Sequence, residues 1–191
     1  FENLTLLTGA VSGSGNELAN VIIGNSVGNA LSGNAGDDTL VGDGGGDILN
    51  GGLGADNVQG DAGNDSITYA LGDGVDVIDG GADLDTLTVF DDADASTLSV
   101  AFNGTALTGI AGGTLTNVET VNANLGGGGD WLAYVAAAGV TVNLETNSAS
   151  GFVTIAGIAN VQGGGGNDVP TGDAANNTLR GGAGADTLVG G

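Results

Sequence analysis

From residue 15 onward the apolar positions of this chain recur every nine residues, and most residues between them are glycine or polar. In blocks of nine the sequence reads GNELANVII, GNSVGNALS, GNAGDDTLV, GDGGGDILN, GGLGADNVQ and GDAGNDSIT without a gap over 15–68. After the inserted Tyr69-Ala70 come LGDGVDVID and GGADLDTLT over 71–88, and GGGGNDVPT, GDAANNTLR and GGAGADTLV follow over 163–189. Position eight is Ile, Leu or Val in ten of these eleven blocks. Positions seven to nine, such as Thr39-Leu40-Val41, make a short strand whose middle side chain points inward. The expected core is therefore a ladder of Ile22, Leu31, Leu40, Leu49, Val58, Ile67, Ile78 and Leu87. Glycine opens ten blocks and recurs at positions two and four, where it permits positive φ and close backbone approach in a tight, repeated turn. Successive turns reverse the chain, so two blocks make one flattened coil, and residues eighteen apart stack on neighbouring parallel strands.

Position six carries the chemistry. It is Asp in eight blocks and Asn in three, and the coil places Asp38 over Asp56 and Asp47 over Asp65 in two opposite rows. Carboxylates stacked about 5 Å apart repel one another by several kcal/mol when partly desolvated. A calcium ion with oxygens at about 2.3–2.6 Å on either side spans that gap, and glycine turns leave backbone carbonyls uncovered to complete its shell. A single Gly-x-Gly-x-Asp is better explained as an aspartate accepting turn hydrogen bonds. A constant phase over eleven blocks favours the ion. Asn20, Asn29 and Asn177 bring an oxygen without a charge and are expected to make weaker sites or none.

Composition narrows the alternatives. One Lys or Arg against 23 Asp and Glu gives a net charge of −22, which repels nucleic-acid phosphates and anionic lipid headgroups. The chain lacks His and Cys and has Arg180 as its one cation, so imidazole and thiolate catalysis, imidazole zinc ligation and disulfides are excluded. No stretch approaches the roughly 18 apolar residues needed to span a bilayer. With 41 glycines but 40% hydrophobic and only 13% charged residues, the chain is unlike a solvated disordered tail.

These blocks resemble the RTX family, the repeat-in-toxin or haemolysin-type calcium-binding nonapeptides of pattern GGxGxDxUx. The likeness is most specific over 33–88 and 163–189, and the lead-in FENLTLLTGAVSGSGNELANVIIGN is similar to that of long RTX arrays. The resemblance implies an all-β, right-handed parallel β-roll solenoid with several Ca²⁺ ions between turns on the same side. It implies six-oxygen sites, in which the earlier turn gives carbonyls at positions two and four plus its Asp, and the later turn carbonyls at one and three plus its Asp. Carried over, one site uses Asn34, Gly36, Asp38, Gly51, Leu53 and Asp56, and the facing row uses Asp43, Gly45, Asp47, Gly60, Ala62 and Asp65. A third joins Gly52, Gly54 and Asp56 to Leu71, Asp73 and Asp76. A fourth joins Asp61, Gly63 and Asp65 to Gly80, Ala82 and Asp85. The second run offers Gly164, Gly166, Asp168, Gly181, Ala183 and Asp186. Val27 and Asp83 depart from the pattern where a turn glycine is usual, Leu71 stands at a first position, and Pro170 at an inward position cannot donate a ladder hydrogen bond. The Tyr69-Ala70 insertion is expected to bulge the roll beside 71–79.

Residues 1–14 read as a lead-in strand, 15–88 as a first roll and 163–191 as a second. Between them, 89–162 lacks clear nonapeptides. Leu98-Ser99-Val100-Ala101-Phe102 and Val140-Thr141-Val142-Asn143-Leu144 alternate as half-buried strands do, and the segment reads as wider coils of the same solenoid or a β-rich spacer, with a small β-sandwich insert as the alternative. Gly126 to Asp130 is a degenerate turn. Trp131 and Tyr134 beside Asp130 are better explained as filling a wide interior than as a sugar site, and Asp91, Asp92 and Asp94 as a solvated loop. No pair of carboxylates is spaced as a glycosidase requires. No enzymatic activity is expected within these residues.

The expected function is a calcium-binding RTX module of a larger secreted or cell-surface bacterial protein, folding on Ca²⁺ after export. The expected partners are calcium ions and either further copies by self-assembly or neighbouring repeats of the same parent chain, with no nucleic acid and no membrane insertion of this segment. RTX proteins are typically exported by type I secretion, and the chain, ending inside a repeat, reads as part of a longer array. The alternatives are a structural or adhesive repeat of a surface layer, filament or adhesin stalk, and the non-catalytic C-terminal module of a secreted enzyme.

Overall fold

The computed structural model describes residues 3–91, 95–135 and 138–191. They form two compact units, one of Phe1–Thr88 with Gly113–Thr120 and one of Val89–Gly112 with Val121–Gly191.

The first unit is built as the nine-residue period dictates. Odd-numbered half-coils contribute the strands Asn3–Thr5, Val21–Asn25, Thr39–Asp43, Asn57–Gln59, Val77–Asp79 and Thr114–Thr116 to one parallel sheet, in that spatial order. Even-numbered half-coils contribute Ser12–Ser14, Ala30–Ala35, Ile48–Leu53, Ser66–Ala70 and the start of Thr86–Phe90 to the other. Neighbours pair residue for residue, Ile22 with Leu40, Leu40 with Val58, Leu31 with Leu49 and Leu49 with Ile67. The two sheets face each other: a β-carbon on Gly13 would lie 3.1 Å from Leu4 and 3.2 Å from Ile22 of the opposite sheet. The ladder from Ile22 to Leu87 is buried between them. Each such side chain contributes about 1.5–3 kcal/mol by leaving water, and truncating Leu49 to Ala would cost about 2–5 kcal/mol.

The Tyr69-Ala70 insertion does not break this ladder. The strand Ser66–Ala70 runs two residues further, Tyr69 is buried, and its hydroxyl donates to Gly74 O at 2.8 Å. The next coil pairs at an offset of twenty residues, Val58 with Ile78, and stays in phase. Gly113–Thr120 supplies one more half-coil, with Leu115 paired to Ile78 and buried.

In the second unit the strands Leu107–Ile110, Thr97–Phe102, Trp131–Tyr134, Asn160–Gly165 and Thr178–Ala183 form one sheet in that order. It is parallel except for the hairpin of the first two, which carries an irregularity between Ala101 and Phe102. Thr141–Asn143 pairs in parallel with Val169–Thr171 and antiparallel with Ser148–Ala149. The alternation read over 98–102 is real, with Leu98, Val100 and Phe102 buried. Tyr134 is fully buried, meets Phe102 edge-on at 6.2 Å and donates to Ser150 O at 2.6 Å. Trp131 lies instead under the Arg180 guanidinium, 4.5 Å from the ring centre. Pro170 pairs with Val142, and its carbonyl still accepts Val189 N–H at 3.0 Å. Of the acidic loop, Asp92 and Asp94 lie outside the described residues, as do Phe1 and Glu2 of the lead-in.

Candidate metal centre

Every aspartate block has one turn conformation, and it is set by positions two and four. Both carry positive φ in all eight: Asn34 and Gly36, Asp43 and Gly45, Gly52 and Gly54, Asp61 and Gly63, Gly72 and Gly74, Gly81 and Asp83, Gly164 and Gly166, Gly182 and Gly184. The non-glycine residues among them are Asn and Asp, the types that best tolerate the left-handed region. Position one does not need positive φ. Its glycine is required for space: a β-carbon on Gly33 would run into Asp38 Oδ2 and Gly51 O, one on Gly42 into Asp47 Oδ2, and one on Gly60 into Asp65 Oδ2 and Gly80 O. The expectation that glycine serves position one through backbone freedom is thus replaced by close approach alone.

The position-six aspartates stack as the period requires, and each divides its two oxygens. Oδ1 accepts the backbone N–H of position six in the preceding coil. Asn20 N–H donates to Asp38 at 2.7 Å, Asp38 to Asp56 at 2.7 Å and Asp56 to Asp76 at 3.0 Å. In the opposite row Asn29 donates to Asp47 at 2.7 Å, Asp47 to Asp65 at 2.7 Å and Asp65 to Asp85 at 2.8 Å. Oδ2 of Asp38, Asp47, Asp56, Asp65, Asp85 and Asp168 is buried and has no hydrogen-bond partner. A buried, unpaired carboxylate oxygen is costly. Burial pushes the Asp38, Asp47, Asp76, Asp85 and Asp168 carboxyls above their ordinary range. It raises Asp56 and Asp65 to about 6, with neighbouring aspartates adding to the rise.

The residues carried over from the resemblance lie in turns that stack directly on one another. Asn34 pairs with Gly52, β-carbons on Gly52 and Gly54 would strike Asn34 O and Gly36 O, and Gly36 N–H donates to Leu53 O at 2.8 Å. In the facing row Ala62 N–H donates to Asp43 O at 3.0 Å and Gly45 N–H to Ala62 O at 2.8 Å. Further along, Ala82 N–H donates to Asp61 O at 2.6 Å, Gly63 N–H to Ala82 O at 3.2 Å, and Gly80 O meets the cradle of Gly60. In the second unit Gly164 pairs with Gly182 and Gly165 with Ala183, Gly181 O and Asp168 Oδ2 meet at Gly163, and Asp168 N–H donates to Asp186 at 3.0 Å. The site beside the insertion is only partly assembled. Gly54 N–H donates to Asp73 O at 2.7 Å and Asp76 lies over Asp56, but a β-carbon on Gly72 would meet nothing within 4 Å. Within that turn Asp73 Oδ2 accepts Ala70 N–H at 3.0 Å.

The three asparagine blocks fold differently, and position four explains why. Leu18, Val27 and Ala175 stand there, and positions two and four of these turns carry no positive φ. The Asn oxygen occupies the place of Asp Oδ2 but accepts the position-two N–H of its own turn: Asn16 to Asn20, Asn25 to Asn29 at 2.7 Å each, and Asp173 to Asn177 at 2.8 Å. The amide nitrogens of Asn29 and Asn177 donate to Ala10 O and Ala159 O. Those turns close on themselves.

A further aspartate shares the aspartate geometry. Leu125–Ala133 reads LGGGGDWLA, with positive φ at Gly126 and Gly128. Asp130 is buried, its Oδ1 accepts Ser96 N–H at 2.7 Å, and its Oδ2 has no hydrogen-bond partner. The signal was present as a nonapeptide with Leu at position one, the same departure as in 71–79.

No group of three or more His, Cys, Asp or Glu side chains converges among the described residues. The carboxylates form rows with two facing each gap, so backbone carbonyls must supply most of any ion's shell. The orphaned oxygens and the glycine-lined gaps fit a hard cation held by oxygen donors. A family model, RTX calcium-binding nonapeptide repeat (4 copies), matches residues 14–49, 23–58, 32–67, 41–75, 50–87 and 162–191, together more than half of the chain. The chain belongs to that family and is a calcium-binding RTX repeat module. Comparison with curated proteins finds no match. Among the described residues no helix is long and apolar enough to cross a membrane.

Proposed function

We propose that each gap between stacked aspartate turns holds one Ca²⁺, bound by the residues named above, and that filling these gaps drives the module to fold after export in a larger secreted or cell-surface protein. The observation that carries this reading is the row of buried carboxylate oxygens without partners beside glycines that a methyl group could not replace. Without an ion, each row places like charges in a partly desolvated stack, which opposes folding. An ion that binds only the folded chain stabilises it by RT ln(1 + [L]/Kd) at every site. In a cytosol poor in calcium the chain stays open and threadable; outside, calcium closes it. Residues 89–162 act in this reading as wider coils: strands there stack at offsets of 34 and 29 residues, Thr97 on Trp131 and Trp131 on Asn160, instead of eighteen.

Equilibrium dialysis of the chain against labelled calcium tests the sites. Several ions per chain are expected, and clearly fewer when Asp47, Asp56 and Asp65 are replaced by Asn. Equal binding by parent and variant would overturn the assignment.

A further inference from the structure

The Asp85 row does not end where the nonapeptides end. The residue that follows Asp85 in the stack is Glu119, from a segment outside the matched repeats. Asp85 N–H donates to Glu119 Oε2 at 2.9 Å, the same bond that Asp65 N–H makes to Asp85 at 2.8 Å. Flanking bonds repeat as well. Thr120 N–H donates to Asp85 O at 3.0 Å as Thr86 N–H does to Asp65 O at 2.9 Å, and Gly80 N–H donates to Thr116 O at 3.0 Å.

The turn that carries Glu119 is short. Only Asn117, Val118 and Glu119 separate the strand Thr114–Thr116 from Thr120, where a nonapeptide has six residues. A side chain one methylene longer than aspartate makes up the reach. A β-carbon on Gly80 would run into both Asn117 O and Asp85 Oδ2, the arrangement found at Gly33 with Gly51 O and Asp38 Oδ2. Asn117 is fixed there by its amide nitrogen, which donates to Asp79 Oδ1 at 2.8 Å. Asp85 is fully buried, and its Oδ2 faces this gap with no hydrogen-bond partner.

We infer that Asp85 Oδ2, Asn117 O and the Glu119 carboxylate form an additional divalent-cation site that closes the row with a glutamate and a shortened turn. The earlier turn carries positive φ at Gly81 and Asp83, as the other aspartate turns do at positions two and four. The donors are hard oxygens, and the ion is the Ca²⁺ of the adjoining rows. This inference rests on the calcium reading of the rows. It assigns Glu119, which lies outside the matched repeats, a ligand role.

The test counts ions on the full chain by equilibrium dialysis, comparing the parent with Glu119→Gln, which keeps an oxygen for Asp85 N–H and drops the charge. One bound ion fewer is expected, with an unchanged β spectrum in saturating calcium. Equal stoichiometry and affinity would overturn the site and leave Glu119 as an amide acceptor only. A parent that binds no calcium would overturn the reading of the rows and this site with it. A second readout needs no variant: carboxyl ¹³C resonances of the parent during calcium titration. Glu119 and Asp85 should shift together, and a Glu119 signal that stays fixed while Asp85 moves would overturn the site.

Discussion

Asp56 accepts the backbone N–H of Asp38 through Oδ1 at 2.7 Å, across eighteen residues, while its Oδ2 stays buried without a hydrogen-bond partner. One oxygen is spent on the fold and the other is left for a cation. Asp56→Asn separates the two roles, because the amide oxygen can still accept that N–H while the charge is lost. In chelator at neutral pH the variant should be more stable than the parent, by about 1–3 kcal/mol, since an unpaired buried charge has been removed. In calcium it should be weaker, with the folding midpoint shifted at least tenfold, about 1.4 kcal/mol, to higher ion concentration. Calcium titrations of both chains, and the residual β signal each shows in chelator with an excluded osmolyte added, check this.

The pH dependence should change sign with calcium. In chelator, burial raises the Asp56 and Asp65 carboxyls from 3.8 to about 6 in the folded state. A folded-state value above the unfolded one means that folding takes up protons. The associated stability is fully present below about pH 4 and is lost as pH rises through 6. With calcium the ionised form is required, so ion affinity should fall as pH drops below 6. Circular dichroism against pH, with and without calcium, should give opposite slopes.

Two glycines distinguish space from conformation. Gly33→Ala should cost about 2–4 kcal/mol and abolish the first site, because a β-carbon there meets a backbone carbonyl and a carboxylate that cannot both move. Gly127→Ala, with nothing within 4 Å and no positive φ, should stay within about 0.5 kcal/mol of the parent. Thermal melts in saturating calcium compare them.

The asparagine turn at 24–29 should be convertible. Val27→Gly restores the left-handed freedom at position four, and Asn29→Asp places a second carboxylate next to Asp47, whose Oδ1 already accepts Asn29 N–H. The double variant should bind one more calcium ion by dialysis. Asn29→Asp alone should bind none extra and be destabilised in chelator, since Val27 holds the turn in its closed form.

The inward ladder and the phase of the aspartates were legible in the sequence because burial repeats every nine residues and strand pairing every eighteen. Ile22 over Leu40 and Asp38 over Asp56 follow from counting. What each glycine does was not, since composition cannot separate positive φ at Gly52 from the crowding at Gly33. The closed Asn turns do not follow from the missing charge of Asn, because Leu18, Val27 and Ala175 set the backbone there. Glu119 could not be found by period, because its turn is shortened and its carboxylate reaches the row only through a longer side chain. Asp130 kept the period, but its isolation from other blocks concealed it.

A far-UV circular dichroism titration of the chain with Ca²⁺, with Mg²⁺ in parallel, shows whether calcium, and not sequence alone, closes the roll. A cooperative change from coil to β spectrum with calcium and none with magnesium is the expected result. A full β spectrum already present in chelator would contradict ion-driven folding and leave the aspartate rows as turn formers in a calcium-independent solenoid.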